Sequence, residues 1–120
     1  MPTVLIVDDH PEIRRLLRIA VGKDVTILEA DDGPGALAQV EQHHPEVVFL
    51  DVMMPGPMDG FQVLQAIRAN PATRETIVAM TTARSQATDH EQADAHGANA
   101  YFTKPFSPIK VGNWLREQLG

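Results

Sequence analysis

The sequence predicts an α/β domain with a doubly wound parallel sheet, its helices packed on both faces. Three observations predict it. Five short, β-rich apolar runs alternate with segments of helical periodicity. The runs are apolar nearly throughout rather than alternating with polar residues, as in strands covered on both faces. The segments between them are long enough for helical crossovers, which join parallel strands. With 120 residues the chain makes one domain and leaves no room for a second of ordinary size.

The elements follow in order. Thr3–Val7 (TVLIV) reads as the first strand. Pro11 stands at a helix's first position, followed by Ile13, Leu16, Leu17 and Ala20 on one face, and Gly22 ends that helix. Val25–Glu29 (VTILE) is the second strand. Gly33 and Pro34 open a second helix carrying Ala36, Leu37 and Val40, which stops before Pro45. Glu46–Leu50 (EVVFL) is the third strand, and the turn-rich MPGPMDG follows from Met54 to Gly60. Phe61–Ala69 is a third helix, closed by Asn70 and Pro71. Thr76–Thr81 (TIVAMT) is the fourth strand. A helix from about Thr88 to His96, ended by Gly97, is poor in large apolar residues and is expected to be the least firmly packed. Ala98–Thr103 (ANAYFT) is the fifth strand. Ser107 is an N-cap and Pro108 an N1 proline, and the last helix is expected to bury Val111, Trp114, Leu115 and Leu119.

Composition narrows function. The absence of cysteine excludes disulfide scaffolds, thiolate zinc sites, iron–sulfur clusters and cysteine nucleophiles. A formal charge of −6, from 10 basic and 16 acidic residues, disfavours direct nucleic-acid binding, which needs a basic face. Arg14, Arg15 and Arg18 form the one local basic cluster and read as the wet face of a helix. No apolar run approaches the roughly 20 residues needed to span a bilayer, so no membrane partner is expected. MPTVLIVDD lacks the basic start of a signal peptide, and a cytoplasmic location is the expectation. No repeat, low-complexity tract or linker is present. The chain stops as the last helix ends, so a stand-alone domain or an N-terminal fragment of a longer chain is expected.

Ligands of an open parallel sheet bind beyond the carboxyl ends of its strands. There stand Asp8 and Asp9 after strand one, Asp51 after strand three, Thr82 after strand four, and Lys104 and Pro105 after strand five. Carboxylates about 5 Å apart repel by about 3 kcal/mol per pair at an effective dielectric near 20. Three together need a cation or must take up protons. A hard divalent ion, Mg²⁺ in the usual case, suits all-oxygen ligands. Such an ion beside a spare carboxylate, an ammonium and a hydroxyl suits phosphoryl transfer, with the carboxylate as nucleophile. Other histidines and methionines read plainly. His43 and His44 are solvated helix-end residues, His10 is a neighbour of the helix N-cap rather than a ligand, and Met53, Met54, Met58 and Met80 serve packing and loops.

The motifs VLIVDDH (Val4–His10), FLDVMMP (Phe49–Pro55), MDG (Met58–Gly60), TTAR (Thr81–Arg84) and GANAYFTKPF (Gly97–Phe106) occur in this order along the whole chain. The sequence thereby resembles the receiver domain of two-component response regulators. The resemblance implies a flavodoxin-like (βα)5 fold of strand order 2-1-3-4-5. It implies that Asp51 is the phosphoacceptor, that Asp9 helped by Asp8 holds Mg²⁺ with Asp51 and the backbone carbonyl of Met53, and that Lys104 pairs with the phosphoryl group. Thr82 would be the switch hydroxyl, in preference to Thr81, and Tyr101 the aromatic switch. The peptide bond before Pro105 would be cis. The implied partners are a histidine kinase or histidine phosphotransfer protein upstream and an output domain or target protein downstream. That downstream contact, or a phosphorylation-dependent homodimer, would use the face made by the helix near Thr88–His96, strand five and the last helix.

The chain departs from the family form at one point. Between Pro55 and Asp59 it reads GPM, one residue longer than the usual MPxMDG, and the loop is expected to bulge outward and leave Asp51 in place. An apolar Met53 beside the acceptor is expected to slow self-dephosphorylation. Two other functions compete. A haloacid-dehalogenase-type phosphohydrolase would need Asp at Met53 to complete its DxD motif, and also extra segments. A receiver fold kept only as a non-phosphorylated docking module would not need the acid pair, Asp51, Thr82 and Lys104 together. No GxxxxGK[ST] or GxGxxG supports nucleotide binding.

Overall fold

A computed structural model describes residues 1–83 and 97–120. Five parallel strands, β1 (Thr3–Val7), β2 (Thr26–Ala30), β3 (Val47–Asp51), β4 (Ile77–Thr82) and β5 (Ala100–Thr103), form one sheet of order β2-β1-β3-β4-β5. The helices are α1 (Pro11–Val21), α2 (Gly33–His43), α3 (Gly60–Ala69) and a C-terminal helix, Pro108–Leu119. The architecture and strand order are those the sequence predicts. The helix expected over Thr88–His96 lies outside the described residues.

Strand limits differ from expectation by a residue or two, because pairing rather than apolar composition sets them. Ala30 finds a register partner in Val7 and Asp51 finds one in Thr81, whereas Val25 and Glu46 have none. Asp51 and Thr82 therefore end their strands instead of following them. β5 begins at Ala100, opposite Ala79, not at Ala98. Before it, Asn99 holds the edge of β4 with its side chain, whose Oδ1 accepts from Val78 N at 2.8 Å.

Side-chain alternation builds two cores. Leu5, Val7, Val48, Leu50, Val78 and Met80 face α2 and α3, where Val40, Val63, Leu64 and Ile67 meet them. Val4, Ile6, Phe49 and Ala79 face α1 and the C-terminal helix, meeting Leu17, Val111 and Leu115. Trp114 and Leu119 pack against this second core but stay partly exposed, short of the burial expected for them. The Trp114 ring stands edge-on to Phe49 and Phe102, with centroids 5.8 and 5.7 Å away.

Local signals set the helix ends. Asp32 caps α2 by accepting from Gly35 N at 2.7 Å. Asp59 and Gln62 form a reciprocal capping box at the start of α3. Ser107 caps the C-terminal helix, as expected, through Lys110 N. His44 ends α2 in the left-handed conformation and is exposed, as is His43. Gly60 begins α3 hard against the end of β3. Its amide donates to Val52 O at 2.9 Å, and a Cβ on it would lie 2.1 Å from the carbonyl oxygen of Asp51. That contact fixes the height of α3 relative to the acid-bearing strand end.

Candidate functional site

Four chain segments meet at the carboxyl edge of the sheet. Asp8 and Asp51 are almost fully buried, Asp51 at 2% exposure, and Asp9 is partly exposed. Oxygens of Asp8, Asp9 and Asp51 and a ring nitrogen of His10 lie within 4.8 Å of one another. Lys104 Nζ crosses from the end of β5 and donates to Asp8 Oδ2 at 2.8 Å and to Asp51 Oδ1 at 3.2 Å. Alternation along the strands puts Asp51 and Thr81 on the α1 side of the sheet. Thr82 and Tyr101 lie on the other side. Both threonines are fully buried. Thr82 ends β4, and its carbonyl accepts from Lys104 N. Tyr101 is half-buried opposite Met80. The Lys104–Pro105 peptide bond is cis, as the resemblance implies.

The electrostatics of the rim follow from burial. Loss of water, and then the neighbouring Asp8 charge, push the Asp51 carboxyl up to about 6, with Lys104 pulling the other way. Burial works against the Lys104 ammonium. Its bond to Asp8 and the charges of Asp51 and Asp8 outweigh that and raise its pKa. One ammonium among three carboxylates leaves negative charge uncompensated. Among the described residues Asp9 Oδ1 is closed off from solvent and makes no hydrogen bond, with the His10 ring nitrogen 3.2 Å away. An all-oxygen carboxylate set with unspent charge and an orphaned oxygen fits a hard divalent cation such as Mg²⁺. Asp8, Asp9 and Asp51 would hold it. The Met53 amide lies 3.4 Å from Asp51 Oδ1, so the backbone turns around the acid at this point.

Pro55, Gly56 and Pro57 are exposed, Gly56 has a positive φ with open space around it, and Asp51 stays buried. Asp8 and Asp9 do not cap α1. Asp8 Oδ1 instead accepts from His10 N at 2.9 Å, two residues on. His10 is itself the N-cap residue, with no capping bond from its ring. Its pKa is raised, first by the hydrogen bond to Asp8 and then by the charge of Asp9.

Sequence reasoning missed Arg14, taken for part of a wet face. Its guanidinium donates to the carbonyl of Asp8 at 2.8 Å and to Glu29 Oε1 at 2.9 Å, and Arg18 joins the same carboxylate. Burial raises the Glu29 pKa, but the two arginines outweigh it and hold the carboxyl below its ordinary range. A glutamate inside the apolar strand VTILE, with two arginines four apart on the preceding helix, was the available signal. Only Arg15 of the three is unengaged in this network and simply exposed.

A parallel doubly wound sheet carrying three acids and a lysine on its carboxyl rim defines an α/β domain whose acid cluster fits a divalent cation. The chain belongs to the response regulator receiver domain family, whose model matches residues 4–116. It is 35% identical to Protein PilG of Pseudomonas aeruginosa over 105 residues, covering 87% of this chain and 77% of PilG. It is 38% identical to the transcriptional regulatory protein ResD of Bacillus subtilis over 109 residues, covering 90% of this chain but only 44% of ResD. Among solved structures, the chemotaxis protein CheY4 of Vibrio cholerae superposes with a TM-score of 0.89 at 30% identity over 98% of both chains. The domain is thus a receiver of two-component signalling. Among the described residues no helix is long and apolar enough to cross a membrane.

Proposed function

We propose that this domain is a phosphorylation-dependent switch that takes a phosphoryl group onto Asp51 from a phosphohistidine of a sensor kinase or phosphotransfer protein. The carrying observation is the Lys104 ammonium bridging Asp8 and Asp51, at 2.8 and 3.2 Å, on the rim of a receiver domain. In the transfer, a carboxylate oxygen of Asp51 attacks phosphorus. The O–P bond forms, the N–P bond of the donor breaks, and its electron pair returns to the donor's imidazole. Asp9, helped by Asp8, would hold Mg²⁺ together with Asp51 and the Met53 carbonyl, and a bound ion would supply positive charge against the phosphoryl oxygens. Lys104 follows the new phosphoryl group, which carries about −1.5 to −2 charges.

The Thr82 hydroxyl turns to the same group and Tyr101 turns inward behind it. The face made by β5 and the C-terminal helix then changes its affinity for an output domain, a target protein or a second copy of the chain. This is a population shift between two packings of one fold. Residues 1–120 act as a single receiver domain in the cytoplasm, catalysing their own phosphorylation and dephosphorylation. Treatment with acetyl phosphate and Mg²⁺, then borohydride, is expected to convert Asp51 to homoserine in a peptide map. Homoserine at another position, or none, would contradict the assignment.

Met53 bears on the lifetime of the phosphorylated state. The residue is 60% exposed beside Asp51, and a thioether is a poor anchor for an attacking water. Slow hydrolysis follows. Met53→Asn, with an amide to orient water, is expected to shorten the phosphoryl lifetime roughly 10-fold, about 1.4 kcal/mol of barrier. A wild-type lifetime of seconds that Met53→Asn leaves unaltered would count against this role.

A further inference from the structure

His10 stands on the rim with no part in the transfer just described. Its Nδ1 hydrogen-bonds with Asp8 Oδ1 at 3.1 Å and lies 3.2 Å from Asp9 Oδ1, contacts a bound ion would replace. Neighbouring ligand atoms of an octahedral ion with bonds of about 2.1 Å stand about 3.0 Å apart. The ring nitrogen is thus spaced from both carboxylates as adjacent octahedral corners are. Asp9 Oδ1, facing the ring, makes no hydrogen bond among the described residues beyond this ion-pair contact. The sequence makes His10 a neighbour of the helix cap. The structure makes it the cap residue, yet its ring makes no capping bond and turns back onto the acids.

We propose that His10 is a metal ligand, its Nδ1 joining Asp8, Asp9 and Asp51 around a first-row divalent ion such as Mn²⁺, Co²⁺, Ni²⁺ or Zn²⁺. The proposal rests on reading the acid cluster as the cation site. Carboxylates alone suit Mg²⁺, while an added imidazole favours these borderline ions, which bind nitrogen more strongly. His10 therefore sets which metal the domain takes up when both kinds are present. The ring is 56% exposed in its side chain, so its removal leaves the core intact.

Calorimetric titration of the full chain with Co²⁺ and, separately, Mg²⁺ tests this on wild type, His10→Ala and Asp9→Asn. His10→Ala is expected to weaken Co²⁺ binding about 10-fold or more while Mg²⁺ affinity changes little. In wild type, sub-stoichiometric Co²⁺ is expected to broaden the His10 ring resonances before those of the other histidines, and excess Mg²⁺ to reverse it. An unchanged Co²⁺-to-Mg²⁺ preference in His10→Ala overturns the proposal. If Mg²⁺ still binds wild type and is lost in Asp9→Asn, the cation-site reading survives that result. Wild type that binds neither ion overturns both.

Discussion

Asp51→Asn is expected to stabilise the metal-free protein at pH 7, although it removes the proposed phosphoacceptor. The acid is held at about 6 against an ordinary 3.8, chiefly by burial and by the nearby Asp8. For a carboxyl whose folded pKa is raised, the folded state binds the extra proton between those two values. Stability therefore falls as pH rises through that window, and the whole cost is present at pH 7. The shift corresponds to roughly 3 kcal/mol. An asparagine keeps the shape and drops the charge. Lys104 does not become an orphan, because Asp8 still accepts from it at 2.8 Å. Desolvating the amide offsets part of the gain, so a net of about 1–3 kcal/mol is expected. That is about 4 °C of Tm per kcal/mol for a domain of this size. The difference should shrink as pH is lowered from 7 towards 4, and Mg²⁺ should narrow it by stabilising wild type alone. Thermal denaturation with a chelator present checks all three. An Asp51→Asn protein less stable than wild type at pH 7 would mean that Lys104 more than compensates the buried charge.

Gly60→Ala is expected to be the most damaging single methyl addition near the site. The added Cβ would stand 2.1 Å from Asp51 O and 2.8 Å from Val52 Cα, both backbone atoms that cannot swing aside. Either α3 or the end of β3 must move, at a cost of about 3 kcal/mol or more. Two consequences separate this from an ordinary helix defect. Asp59→Ala, which removes only the adjacent cap, should cost about 1 kcal/mol in urea denaturation. Gly60→Ala should also weaken Mg²⁺ binding, because the strand end that moves carries Asp51. A Gly60→Ala protein of wild-type stability and metal affinity would show that the close approach of α3 does not set the position of Asp51.

The site was legible in the sequence to the extent that strand ends were. Apolar runs locate TVLIV and VVFL closely enough to bring Asp8, Asp9 and Asp51 to one edge. The same reasoning carries Lys104 there after ANAYFT, and the structure joins it to Asp8 and Asp51. Less legible was everything set by the angle at which an element leaves the sheet. Arg14 reaches the Asp8 carbonyl, and the His10 ring folds back on two acids, because of how α1 departs from β1. Helical periodicity reports which face of α1 is apolar but not how far its polar side chains reach. Strand limits at Asp51 and Thr82 likewise came from pairing partners, which composition does not contain. The role of Gly60 depends on a contact between α3 and β3 that no local pattern announces.

Phosphorylation in vitro tests the central claim most directly. Wild type and Asp51→Asn would be incubated with acetyl phosphate, with and without Mg²⁺, and weighed intact by mass spectrometry. One phosphoryl group on wild type, absent from Asp51→Asn and absent without Mg²⁺, is the expected result. Folded wild type that gains no phosphoryl group, or an Asp51→Asn protein that gains one as readily, would contradict the assignment of Asp51 as the acceptor and the switch mechanism built on it.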